Sequence, residues 1–245
     1  MKVSYIHHSG FAIELEKSIY IFDYYKKEMP DFVIKAVEDG CKDVYFFSSH
    51  GHSDHFNPDI FGYENDNVYF LLSKDIEEKV IYRGWLDGHE GAQVEYIEPY
   101  QAMNIQGKNG SILYVETLKS TDRGVAFLVT SEGKTVYHAG DLNNWIFDGL
   151  DKAKLGDMKA RYTREIDKIK DRIIEVAFLP VDYRLGEYFA EGPVYFLKNT
   201  KTTNVFPMHM WKEYEYIDKL KKHPDIQNID CCIYDVDEPG KCWII

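Results

Sequence analysis

The sequence predicts an α/β protein in which short buried strands alternate with amphipathic helices and carry polar residues at their carboxyl ends. Three observations lead there. Apolar runs such as those at 44–47 and 176–180 are bounded by Gly, Pro, Ser or Asp and separated by helix-length segments. Aspartate and histidine recur directly after such runs, at Asp23, His50 to His55, Asp141, Asp182 and His209. The 245 residues suffice to bury a core without disulfide or metal staples, and no internal period, low-complexity tract or long linker divides them. One domain spanning 1–245 is expected.

Composition narrows the class. The chain carries 41 acidic and 29 basic residues, a formal net charge of −12. A general nucleic-acid binder must neutralise phosphates with Lys and Arg, so nucleic acid is not expected as a partner and a small-molecule substrate is. An anionic substrate stays compatible with this charge, because a bound metal reverses the sign of the field locally. Cys41, Cys231, Cys232 and Cys242 lack zinc-finger or CxxC spacing, and an adjacent pair rarely closes on itself. Buried free thiols in a reducing cytoplasm are expected. Residues 1–6 enter a strand at once, leaving no room for a signal peptide, and no apolar run reaches the ~20 residues that span a bilayer. The expected location is the cytoplasm.

Taken in order, runs 3–6, 11–16 and 19–22 read as an antiparallel meander ending at Asp23. Pro30 and Asp31 open a helix with apolar Phe32, Ala36 and Val37, and Gly40 stands where a left-handed cap belongs. The strand 44–47 leads into a histidine-rich loop, with a helix expected from about Asp59. Strand 68–72 follows, with Ser73 able to cap a helix at 75–82; residues 84–91 read as loop, and His89 as a surface histidine. Strands 112–119 and 125–130 flank the polar turn 120–124, and residues 131–134 make a hairpin into strand 135–139. Tyr162, Ile166, Ile169 and Ile173 step at helical spacing, so one helix is expected to pack that stripe inward. Strand 176–180, a helix at 193–199, strand 204–208, a helix at 213–222 and strands at 231–236 and 242–245 complete the chain.

The stretch Ser48-Ser49-His50-Gly51-His52-Ser53-Asp54-His55 places three histidines and one aspartate within six residues, directly after a buried run. Imidazole and carboxylate suit zinc, iron or manganese. Alternation lets His50 and His52 point one way while Asp54 and His55 turn towards a second position, so one loop can feed two adjacent metals.

At this point the chain resembles the metallo-β-lactamase superfamily, through H-x-H-x-D-H at 50–55, Ala139-Gly140-Asp141 and Pro207-Met208-His209. The opening His8-Ser9-Gly10-Phe11, with Asp23 closing the meander, is similar to the branch containing ascorbate-6-phosphate lactonase and N-acyl-phosphatidylethanolamine phospholipase D. The resemblance implies a four-layer αββα sandwich and a metal-dependent hydrolase whose metal-activated hydroxide attacks an ester, lactone, amide or phosphoester. It implies that His50 and His52 bind a first metal, that Asp54, His55 and His209 bind a second, and that Asp141 bridges the two. Asp54 and Asp141 are then the catalytic carboxylates, Asp54 orienting the nucleophile. Zinc is the implied metal, one ion or two, with manganese or iron as alternatives. Asp23 would fix a ligand histidine through its other ring nitrogen, with His8 structural or supporting, and His138, on the strand before Asp141, packing or supporting a ligand. Asp182, Tyr183, Arg184, Trp145 and Trp211 could shape the substrate pocket, with Arg184 clamping a phosphate or carboxylate.

One departure stands out. The superfamily places another histidine for the first metal between the central motif and the bridging aspartate, and the turn 118–124 has none. Ser120, Thr121 or Asp122 could supply oxygen there, water could fill the position, or a single metal could sit at the second site. The alternative reading is therefore a non-catalytic metal-binding or ligand-sensing member with a degenerate first site. Di-iron redox chemistry is disfavoured, because His52 stands where such a site uses glutamate and no flavin domain accompanies it.

Overall fold

The computed structural model describes residues 1–26 and 28–245. The first half of the chain builds one sheet from β1 (Lys2–His7), β2 (Gly10–Glu14), β3 (Ser18–Phe22), β4 (Asp43–Ser48), β5 (Val68–Ser73) and β6 (Gln93–Ile97). A second sheet follows from β7 (Ala102–Gln106), β8 (Ile112–Lys119), β9 (Val125–Ser131), β10 (Lys134–His138), β11 (Ile173–Pro180), β12 (Lys201–Met208) and β13 (Cys232–Ile233). The last strand, β14 (Cys242–Ile244), returns to pair with β1. The strand orders are β14-β1-β2-β3-β4-β5-β6 and β13-β12-β11-β10-β9-β8-β7. Each sheet is thus an antiparallel meander that turns parallel, at β3 in one and at β10 in the other.

The apolar runs are continuous because both faces of these strands are covered. In β3, Tyr20 and Phe22 face the core between the sheets, while Ile19 and Ile21 face outward. Tyr45 and Phe47 alternate with Val44 and Phe46 in the same way along β4. The outward residues pack on Val33, Ala36 and Val37 of α1 (Asp31–Asp39) and on Ile76 and Val80 of α2 (Lys74–Arg83). On the other side α3 (Lys152–Asp167) and α4 (Glu191–Asn199) cover the second sheet, Tyr137 stacking on Phe196 at 4.6 Å. This is the four-layer αββα sandwich.

Several expectations are corrected. The stripe Tyr162, Ile166, Ile169, Ile173 does not lie on one helix. The helix ends at Asp167, Ile169 is buried in the following turn, and Ile173 is an exposed first residue of β11. Asp171, left-handed at φ 60°, reverses the chain there, a conformation that aspartate tolerates well. Strands β6 and β7 fall in a stretch to which the sequence reading assigns no element; they are edge strands that alternate exposed and half-buried residues. A 3₁₀ turn, Pro58–Tyr63, takes the place of the helix expected from Asp59, with Asn57 accepting the Asp59 N–H. Ser73 precedes α2 without a side-chain capping bond. The fifth helix, α5, is Glu215–Lys221, and only Cys232–Ile233 of 231–236 is strand. The four thiols are free but not buried: Cys41, Cys232 and Cys242 are exposed and Cys231 half-buried, because they lie in a turn and on edge strands.

Parallel registry is what places the polar residues. Phe22 lies beside Phe47, and the Asp23 N–H donates to the Phe47 carbonyl at 2.8 Å, so the ends of β3 and β4 open at one level. Pro180 lies beside Met208, so Asp182 and His209 emerge together. Carboxyl ends of parallel strands form the rim where such folds build sites. Phe47, stacked on Phe22 at 4.8 Å and on the edge of Phe127 at 5.2 Å, ties the two sheets just below that rim. Phe47→Ala is expected to cost about 3–5 kcal/mol of stability through the cavity it leaves. Urea unfolding measures this; an unchanged midpoint would show that the sheets do not depend on this contact.

Candidate metal centre

The histidine loop is held from below by Asp23. Its buried carboxylate accepts the Ser49 N–H at 2.7 Å, the Ser49 Oγ–H at 2.7 Å, and a bond to His55 Nδ1 at 2.7 Å. Burial alone would raise the Asp23 carboxyl, yet the imidazoles of His138, His55 and His50 hold it down at about 2. Ser49 Oγ also reaches His50 Nδ1 at 3.0 Å. On the other sheet Asp182 Oδ2 stands 2.9 Å from His209 Nδ1. Each of these rings therefore has its Nδ1 engaged and its Nε2 turned inward, the arrangement that fixes metal-ligating histidines.

Two groups of donor atoms result, each within 4.8 Å: His50, His52, Asp122 and Asp141 in one, His8, Asp54, His55 and His209 in the other. Asp141 stands between them. Its Oδ2 is 3.5 Å from His50 Nε2, while its Oδ1 is 3.3 Å from His55 Nε2 and 3.4 Å from His209 Nε2. His50 Nε2 and His52 Nδ1 are 2.9 Å apart, and Asp54 Oδ2 is 3.5 Å from His8 Nε2 and 3.7 Å from His55 Nε2. His8 Nε2, His55 Nε2 and Asp141 Oδ1 are buried without a hydrogen-bond partner. Burying such groups unpaired is costly, and three of them converging is what a cation between them would satisfy. Burial pushes His8 and His50 down to about 4, which keeps each imidazole neutral with one unprotonated nitrogen to offer. Burial lowers His55 too, but the carboxylates of Asp141, Asp23 and Asp54 prevail and raise it to about 9. The local field favours positive charge. The N/O donor set fits zinc, manganese or iron.

The backbone is bent to make this fit. His8, Asp23 and His209 are all left-handed, at φ 58°, 43° and 64°, although none is glycine. Gly140, at φ 51°, comes so close that a Cβ would lie 2.5 Å from that of Ser49.

The structure brings together all six motif residues, His50, His52, Asp54, His55, Asp141 and His209, and adds His8 and Asp122. His8, read as structural or supporting, has its ring 4.3 Å from that of His209 and its free Nε2 towards Asp54. Its sequence signals were its place at a strand end and in the His8-Ser9-Gly10-Phe11 stretch, neither of which marks a ligand. His138 is packing: Nε2 lies 2.9 Å from the Ser9 carbonyl, and the ring stacks on Phe22 at 4.9 Å. His89 is half-buried beside Glu64, at 3.6 Å.

A cavity of about 770 Å³ opens beside the centre, lined by Asp122, Asp141 and His209. Trp145, Phe147, Leu150 and Met158 give it an apolar wall, and Lys154, Arg161 and Arg184 add cations. The pocket expectation is corrected in part. Trp145 lines the cavity, its Nε1 donating to the Asp141 carbonyl at 2.8 Å. Asp182 is wholly buried behind His209, Tyr183 packs near Tyr216, and Trp211 packs on His8. Arg184 is not a free clamp, since its Nε donates to both Asp182 oxygens at 2.9 and 3.0 Å.

No protein-family model matches the chain. A curated relative, the UPF0173 metal-dependent hydrolase of Bacillus thuringiensis subsp. konkukian, is 28% identical over 241 residues, covering 90% of this chain and 93% of its own. A metallo hydrolase of known structure from Ignicoccus hospitalis matches 99% of this chain and 97% of its own, with TM-score 0.61 and 18% identity. The metallo-β-lactamase fold protein YhfI of Bacillus subtilis matches 99% of both chains, with TM-score 0.62 and 13% identity. The chain has the metallo-β-lactamase fold. Within that fold, Asp182 backs His209 as Asp23 backs His55. Asp182→Asn is expected to weaken metal binding roughly 10- to 100-fold, the range found when such an outer partner is lost. Competition against a chromophoric chelator reads this directly; unchanged affinity would show that Asp182 does not orient the ring.

Proposed function

We propose that this chain is a metal-dependent hydrolase that opens an ester, lactone or phosphoester bond in a small molecule. One observation carries the reading. A single carboxylate, Asp141, turns one oxygen towards each of two His/Asp groups, and its Oδ1 is buried without a partner beside the equally unpartnered His8 Nε2 and His55 Nε2. His50, His52 and Asp141 would hold a first ion, and Asp54, His55, His209 and Asp141 a second, with His8 in reach of the latter. Zinc suits this donor set, as do manganese and iron. When bound, a pair of divalent ions supplies a water that ionises near neutral pH and positive charge for the developing oxyanion.

The protein groups then have separable tasks. Asp54 is half-exposed; burial would raise its carboxyl, but His8 and His55 hold it well below the usual carboxylate range. It therefore stays ionised and can accept a hydrogen bond that orients the attacking water, whose proton ends on the leaving oxygen as the bond breaks. The apolar wall of Trp145, Phe147 and Leu150 takes the non-reacting part of the substrate, and Lys154 and Arg161 favour an anionic one. The opening His8-Ser9-Gly10-Phe11 and the meander closing at Asp23 support a kinship with the lactonase and phospholipase branch. Both sheets contribute to the centre, which favours one catalytic domain over 1–245.

No helix of the described residues is long and apolar enough to cross a membrane. Four unpaired cysteines, two of them adjacent, suit the reducing cytoplasm, where we place the protein. The alternative, a non-catalytic sensor with a degenerate first site, is disfavoured by the carboxylate of Asp122 at the position of the missing histidine.

Purified without chelator, the wild type is expected to hold about two transition-metal ions per chain, fewer in His209→Ala, as elemental analysis reads. It should turn over a generic phosphodiester or lactone, stop with chelator and recover when metal is restored. A wild type that neither retains nor reloads any transition metal would sink the hydrolase reading.

A further inference from the structure

We infer that Asp122 supplies a fourth protein ligand of the first metal position, beside His50, His52 and Asp141, where related sites use imidazole, making that position harder and more open than its neighbour. This rests on the binuclear reading above. Asp122 Oδ2 lies 3.7 Å from His52 Nδ1, within the group that also includes His50 and Asp141. Its side chain, 45% exposed, pairs with no lysine or arginine among the described residues. A carboxylate facing two imidazoles and a second carboxylate, without a cation of its own, is placed for a metal.

The turn that carries Asp122 is built for this approach. The Asp122 N–H donates to Ser120 Oγ at 3.1 Å, and Thr121 Oγ donates to the Asn143 carbonyl at 2.6 Å while accepting the Asn143 N–H at 3.1 Å. Both hydroxyls are thus committed to the turn, which removes Ser120 and Thr121 as competing ligands. Arg161 donates to the Thr121 carbonyl at 2.6 Å, pinning the turn to α3. The Val125 N–H donates to the Ser49 carbonyl at 2.9 Å, and Gly124, at φ 65°, presses so close that a Cβ would fall 1.9 Å from that oxygen. The turn is therefore fastened to the histidine loop itself, with Asp122 directed at His52.

The two positions then differ in chemistry. His50, His52, Asp122 and Asp141 give two nitrogens and two oxygens, with His52 and Asp122 partly exposed. His8, Asp54, His55 and His209 give three nitrogens and one oxygen, with both His8 and His55 buried, before Asp141 is added. Oxygen ligands favour manganese relative to zinc, so the first position should discriminate least between them and release its ion first.

The test is direct metal titration of the full chain with Mn²⁺ and with Zn²⁺, following stoichiometry, affinity and the Mn²⁺ electron paramagnetic resonance spectrum. Circular dichroism verifies folding, and Asp122→Asn, which keeps size and shape, serves should Asp122→Ala not fold. The expected result is loss of one of the two ions in Asp122→Ala, at least the roughly 10- to 100-fold weakening that even an outer partner's loss causes. The exchange-coupled manganese signal should give way to that of an isolated ion. Asp122→His should keep two ions and shift the first position's preference towards zinc. Two ions at wild-type affinity in both Asp122→Ala and Asp122→Asn would overturn the inference and leave the binuclear reading intact. A wild type that binds neither metal overturns both.

Discussion

The rim of this fold depends on how closely three strand ends approach Ser49. Its N–H and Oγ–H bind Asp23 at the end of β3, its Oγ reaches His50, and its carbonyl accepts the Val125 N–H at the start of β9. Gly124 and Gly140 leave no space for a methyl group against it. One small residue just after β4 thus sets the distance between the two sheets where the candidate metal-ligating side chains emerge. Anything larger than serine would force the sheets apart and separate Asp122 and Asp141 from the histidine loop.

Electrostatics finishes what that packing begins. From Arg184 a chain of alternating groups runs through Asp182, His209, Asp141 and His55 to Asp23, with successive separations of 2.9, 2.9, 3.4, 3.3 and 2.7 Å. Buried carboxylates in this chain are held ionised by their neighbours, and in return they fix which nitrogen of each imidazole faces the centre. Left-handed His8, Asp23 and His209 show the backbone yielding to the same requirement. The overall charge of −12 does not by itself exclude an anionic substrate, since Lys154, Arg161 and Arg184 stand among the aspartates that line the cavity.

Much of this was legible in the chain itself. The six-residue motif after a buried strand, the Gly-Asp after β10 and the histidine after β12 pointed to six residues that the fold brings together, because a polar residue at a strand end is a local pattern. The unbroken apolar run of β4 read as a buried strand for the same reason. Misreadings fell where local pattern competes with packing. The isoleucine stripe ran past Asp167 because turn and strand residues can share a helix's spacing, and the edge strands β6 and β7 went unassigned because half their residues face water.

By itself, then, the sequence determined which residues could ligate a metal and that strands would carry them to one rim, since donor chemistry and strand periodicity are properties of short segments. Only the tertiary structure decided the partners. Asp182 proved to support His209 rather than face substrate, Arg184 to be paired already, and His8 and Asp122 to join the donor groups. Those outcomes depend on contacts between residues far apart in the chain, across two sheets whose registry no single segment encodes.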